Sequence, residues 1–265
     1  MLGLEPHTLI TALLSGALVG VFLSAFGGGG SVLAAPLLVY FVGVNDPHVA
    51  IGTSAAAVAM TALISLIGHV RGHRVKWPCA IVFAASGLAG SIAGSSTAKL
   101  VDGQMLLLAF AFAMSAIALS MFRQRKFAGD PDVHLTPAFM LRLVPLGLLV
   151  GFAAGFFGIG GGFLIVPGLL YATGMTMSAA TASSLVSVTI FGAATSSNYA
   201  MSGMIDLRLA GILVIGGFLG GLVGHVVAHY LSSRALLARR AFAVFILIVA
   251  AYVAIRAGLA LAVSP

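Results

Sequence analysis

One stretch of this chain occurs twice: GVFLSAFGGGGSVLAAPLLVYFVG at residues 20–43 and GFAAGFFGIGGGFLIVPGLLYATG at residues 151–174. With Gly20 set on Gly151, the two agree at Gly27 and Gly158, Gly29 and Gly160, Gly30 and Gly161, Pro36 and Pro167, Tyr40 and Tyr171, and Gly43 and Gly174. After a one-residue slip the likeness resumes, with Ala50-Ile51-Gly52-Thr53-Ser54 beside Ala180-Thr181-Ala182-Ser183-Ser184. The chain is a duplication, a construction common among membrane transporters.

The residues around these stretches define the solvent. Of 265 residues 60% are hydrophobic and 7% charged, against about 25% charged in soluble domains. No soluble fold would tolerate that surface. Residues 8–45, 77–98, 103–122 and 143–205 carry no Asp, Glu, Lys or Arg. A helix needs roughly 20 apolar residues to cross a hydrocarbon core of about 30 Å, so the last run must hold several spans. Ten hydrophobic segments follow, at 8–26, 30–44, 48–69, 78–98, 103–122, 138–157, 160–174, 178–200, 208–231 and 237–259. They define a first membrane repeat (1–126), a cytoplasmic linker (127–137) and a second membrane repeat (138–265). An N-terminal signal peptide is not expected, because Glu5 precedes the apolar run and no basic region does.

Net charge is +7, but its carriers sit in short loops, where they read as topology signals rather than as a nucleic-acid surface. Arg71, Arg74 and Lys76 follow segment three; Arg123, Arg125 and Lys126 follow segment five; Arg234, Arg239 and Arg240 follow segment nine. All three loops are cytoplasmic together only if the halves are inverted, with both termini outside. The expected fold is therefore an all-α integral membrane protein of two inverted repeats. Each has five segments and glycine-broken short helices, giving eight to ten spans. Segments two and seven are too short to cross at 1.5 Å per residue, so ten thin spans and eight spans with two re-entrant hairpins both fit. Small residues at four-residue spacing, as in Gly216-Gly220-Gly224 and Gly147-Gly151-Gly155, predict close helix packing.

Unwound backbone inside a membrane is tolerated only where protein buries it or it lines a wet cavity. The clusters Gly27-Gly28-Gly29-Gly30-Ser31 and Gly158, Gly160, Gly161 and Gly162 are such breaks, and inversion makes them face each other. A helix leaving each break presents free N–H groups and a positive dipole end, which favour an anion. Thr53-Ser54 and Ser183-Ser184 add hydroxyls that either donate to an oxyanion or bond back to their own helix. Asn198 is included with them as a polar group late in segment eight. His69, at the end of segment three, and His225 are the candidates for proton coupling, since imidazole titrates near neutrality. His225 and His229 stand at i, i+4, but without a carboxylate or the HExxH pattern they are a weak metal signal. Cys79 reads as a buried small hydrophobe. No cofactor or metal is expected.

The paired glycine clusters followed by Pro, and the runs AIGTSAAAV and TASSLVSV, resemble the sulfite exporter TauE/SafE family of membrane transporters over essentially the whole chain. The resemblance implies export of sulfite, a sulfonate such as sulfoacetate, or a related anion, coupled to an ion gradient. It places Gly27 to Ser31, Thr53, Ser54, Gly158 to Gly162, Ser183 and Ser184 at the site. Ser183-Ser184-Leu185 replaces Thr53-Ser54-Ala55, so the half-sites differ. The expected location is a bacterial inner membrane. The expected partners are a small anionic substrate, membrane lipids and a possible second copy of the chain, without nucleic acid. A passive anion channel is the alternative. An intramembrane hydrolase is disfavoured, because Val32 follows Ser31 where a G-x-S-G pattern needs glycine.

Overall fold

The computed structural model describes residues 6–72, 75–123, 129–130, 133, 135–158, 162–231 and 235–263. Ten α-helices lie among them: α1 (Pro6–Phe26), α2 (Ala34–Leu37), α3 (Pro47–Arg71), α4 (Trp77–Ala98), α5 (Gly103–Arg123), α6 (Pro137–Phe157), α7 (Gly162–Thr173), α8 (Met177–Met201), α9 (Leu207–Leu231) and α10 (Ala235–Val263). Eight are long and apolar enough to cross a membrane; α7 and the helical stretch Gly30–Val42 around α2 are the short ones. The short stretch changes pitch along its length, with 3-10 turns over Gly27–Leu33, α-helix through α2 and wider π turns over Leu38–Val42. This is an all-α membrane protein.

Local chemistry sets the helix ends. Asp46 caps α3, its carboxylate accepting from the His48 N–H at 2.8 Å, and Pro47 opens the helix. Thr176 caps α8, the counterpart of α3, by accepting from the Ala179 N–H at 3.3 Å. Proline in a first turn costs nothing, since its missing N–H has no partner there anyway. Gly43 and Gly174, matched in the duplicated stretch, both take left-handed backbone (φ 87° and 69°). Each ends its short helix where a side chain would be strained.

The main packing exchanges helices between halves. The first helix of one half lies on the fourth helix of the other, so α1 packs on α9 and α6 on α4; α3 packs on α8, and α5 on α10. In a bilayer such pairs gain little from hydrophobicity and depend on close approach of backbones. Along α9, Gly216, Gly220 and Gly224 lie against the backbone of Leu13, Ala17 and Val21 in turn, so α9 and α1 run parallel. Along α6, Gly147, Gly151 and Gly155 meet Ser86, Gly87 and Ser91, so α6 and α4 are parallel too. In the centre the sense reverses. Gly52 of α3 abuts Tyr199 of α8, and Gly192 of α8 abuts Ala55 and Ala59, so the two equivalent helices are antiparallel.

Leucine at Gly220 would have to displace the Ala17 backbone, whereas Gly258 of α10 faces open space. Gly220→Leu should therefore lower stability by about 1–3 kcal/mol through overpacking, and Gly258→Leu should leave it unchanged or better. Thermal unfolding of the detergent-purified proteins checks this. Equal melting temperatures would mean that the α1 and α9 backbones are not in contact.

Candidate functional site

The two glycine-led breaks meet inside the bundle. The 3-10 stretch Gly27–Leu33 packs on α1, α7 and α8, and α7 packs on α6, α8 and that stretch. Val32, Leu33 and Ala34 from one half join Ile165, Val166 and Leu169 from the other in one buried cluster. At the second break Gly158 closes α6 with φ 65°, and any side chain there would run into Ile51 of α3. At the first, Gly30 is pressed on the α1 backbone at Phe22 and Leu23. Ser31 is fully buried beside it. Gly27, Gly28 and Gly29 belong to the 3-10 turns, Gly162 opens α7, and Gly160 and Gly161 lie outside the described residues.

The paired hydroxyls are fully buried, and they divide by the direction of their bonds. Ser54 donates to the Ile51 carbonyl at 3.0 Å and Ser184 to the Thr181 carbonyl at 2.8 Å, each back into its own helix. Thr53 instead accepts from the Asp206 N–H at 2.9 Å, and Ser183 accepts from the Lys76 N–H at 3.0 Å. Those donors are equivalent residues, each leading into the fourth helix of the opposite half. A hydroxyl that accepts keeps its own hydrogen to give. Thr53 and Ser183 can therefore serve an anion while tying the halves together, whereas the hydrogens of Ser54 and Ser184 are committed.

Asn198 is engaged too. Its Nδ2 donates to Ser95 Oγ at 2.7 Å and Ser96 Oγ at 2.9 Å, and its Oδ1 accepts from Lys99 Nζ at 2.7 Å. Lys99 also donates to the Asn198 carbonyl at 3.2 Å and to Ser202 Oγ at 2.9 Å. One turn away Ser91 donates to the Phe191 carbonyl at 3.1 Å and shares a 3.0 Å hydrogen bond with Thr195. This polar seam between α4 and α8 ends on a lysine whose acceptors are neutral oxygens. Sequence reading missed it, although Ser91, Ser95 and Lys99 show its spacing. His69 is half-buried at the far end of α3 from Thr53. The side chain of His225 lies outside the described residues.

Two further hydroxyls stand on α8. Among the described residues Ser187 Oγ and Tyr199 Oη are buried without a hydrogen-bond partner, and buried polar groups normally have one. Ser187 sits one turn beyond Ser183 and Ser184 on α8, and Tyr199 stacks on His48 at 6.2 Å. A cleft of about 460 Å³ is lined by Asn45, Asp46, Pro47, His48, Asp102, Gly103 and Gln104. Its two carboxylates cap α3 and α5, accepting from the N–H groups of His48, Gln104 and Met105. Among the described residues no three His, Cys, Asp or Glu side chains gather as a metal site.

Removing the acceptor in Thr53→Ala or Ser183→Ala leaves a backbone N–H unmet, so each should cost about 1–3 kcal/mol. Thr53→Ser should retain most of that. Denaturation of the three variants in one detergent measures it; unaltered stability in both alanine variants would remove the hydroxyls from the junction between halves.

Comparison with known proteins bears on the same helices. The family model described as Sulfite exporter TauE/SafE matches residues 12–253. A probable membrane transporter protein of Xylella fastidiosa (strain 9a5c) is 44% identical over 248 residues, covering 93% of this chain and 95% of that protein. The probable membrane transporter protein YunE of Bacillus subtilis (strain 168) is 25% identical, over 83% and 88%. With glycine breaks, eight spans and a match across nearly its whole length, the chain belongs to the sulfite exporter TauE/SafE family of membrane transporters.

Proposed function

We propose that the chain is an inverted repeat that exports a small sulfur-containing oxyanion, sulfite or a sulfonate such as sulfoacetate, across a bacterial inner membrane with coupling to protons. The observation that carries this reading is the central crossing, where antiparallel α3 and α8 flank two glycine-led helices that meet. An anion there lies against Gly27, Gly28, Gly29, Gly30 and Ser31 on one side and Gly158, Gly160, Gly161 and Gly162 on the other. The N–H groups within the 3-10 turns and that of Gly158 are spent on helix carbonyls, so the backbone donors it meets are those of the first turn of α7. The Thr53 and Ser183 hydroxyls donate to it, and Ser187 supplies a donor that the protein itself leaves unused. Ser54 and Ser184 shape the wall, and Asn198 with Lys99 marks one end of the path. Among the described residues the carboxylates of Asp46, Asp102 and Asp206 all stand at helix starts and are occupied with N–H groups. Export fits the family description, and the basic loops orient the chain with Arg71–Lys76 and Arg123–Lys126 inside.

Ser187→Ala separates binding from stability. Deleting an unpartnered hydroxyl should leave the melting temperature unchanged or raised, yet weaken sulfite or sulfoacetate binding about tenfold, the worth of one hydrogen bond to a charged group. Gly160→Leu and Gly29→Leu should block transport sterically in folded protein. Reconstituted vesicles then decide between carrier and channel: a carrier moves the anion against its own gradient when a pH gradient is imposed. Undiminished binding and transport in all three variants would place the site elsewhere.

Proton coupling rests on His69 and His225, because the spans offer no carboxylate. His69 is about 24 Å along α3 from Thr53 at 1.5 Å per residue, so its role is relay rather than contact. His69→Ala should abolish pH-gradient-driven flux of a permanently ionised sulfonate while leaving its binding intact. Equal driven rates for wild type and variant would remove His69 from the mechanism.

A further inference from the structure

Arg256 stands inside the candidate span Ala243–Ala262 of α10, exposed on the outside of the bundle. A charge at such depth is expensive and calls for a partner. Among the described residues no carboxylate or hydrogen-bond acceptor meets it; its one contact is the face of Tyr40, with the guanidinium carbon 5.9 Å from the ring centroid. Tyr252, one turn earlier on α10, packs edge-on against Tyr40 with ring centroids 5.4 Å apart. The Tyr40 hydroxyl is shielded and has no hydrogen-bond partner. The guanidinium fork therefore lies unmatched and exposed on the lipid-facing side, with the Tyr40 ring beneath it.

We propose that Arg256, Tyr40 and Tyr252 form a binding site for the phosphodiester of an anionic phospholipid. The guanidinium suits two phosphate oxygens at once. Stacking on Tyr40 holds the fork in place before the lipid arrives. Depth agrees: Arg256 is about 10 Å from the end of α10 at 1.5 Å per residue, within reach of the headgroup layer for a long side chain that snorkels. The position also distinguishes this site from the transport path, since Arg256 lies on the α5–α10 pair and not between α3 and α8. Because Tyr40 belongs to the π turns that end the first short helix at Gly43, the lipid bridges that helix and α10.

Native mass spectrometry of the full chain, titrated in detergent with phosphatidylglycerol or phosphatidylcholine, tests this. Wild type should bind phosphatidylglycerol in preference to phosphatidylcholine. Arg256→Gln should reduce that binding about tenfold, as expected for hydrogen bonds to a charged group, and Tyr40→Leu, which removes the ring under the guanidinium, should reduce it a few-fold. Inorganic phosphate at millimolar concentration should not compete; if it displaces the lipid, the site is one for free anions and the lipid assignment fails. Equal phosphatidylglycerol binding by wild type and both variants overturns the site altogether. Should Arg256→Gln not fold, Tyr40→Leu and the comparison of the two lipids decide by the same readout.

Discussion

Backbone-to-backbone contact across the halves is the constraint on which this molecule depends. Where Gly220 lies against Ala17 and Gly151 against Gly87 there is no room for a Cβ, and in hydrocarbon such closeness substitutes for the hydrophobic drive available in water. Fixing α1 on α9 and α6 on α4 brings α3 and α8 together head to tail. It also leaves the two shortened helices facing inward, where their irregular backbone can be satisfied by protein. Replace the small residues and the inner pair loses its frame before any polar group is touched.

Much of this was legible in the sequence. The duplicated glycine-proline stretch announces both breaks, the uncharged runs announce the spans, and Gly216-Gly220-Gly224 announces a packing face. The polar seam was not legible, because Asn198 and Lys99 lie 99 residues apart in the chain and belong to different halves. Helices that are apolar nearly all round also hide which face is buried. Ser187 therefore looked like any other serine of α8, and Arg256 gave no hint that Tyr40 would cover it.

The hydroxyl pairs show a limit of a different kind. Sequence puts Thr53 and Ser183 in equivalent places beside Ser54 and Ser184, but residue type does not say whether a hydroxyl gives or receives. That depends on where Asp206 and Lys76 bring their N–H groups, from the far half of the chain. One residue of each pair thus joins the halves with its oxygen and retains its hydrogen. Its neighbour, bonded to its own helix, has none left over.

The exchange of helices also governs how such a chain can be made. Synthesis delivers α1 about two hundred residues before α9, and α4 well before α6, so the glycine-lined face of α1 must wait against lipid for its mate. Contacts this distant in sequence form late and slowly. Although the sequence repeats, the long helices of each repeat find their main packing partners in the other. A ribosome that stopped after the first would leave its long helices inserted without their mates.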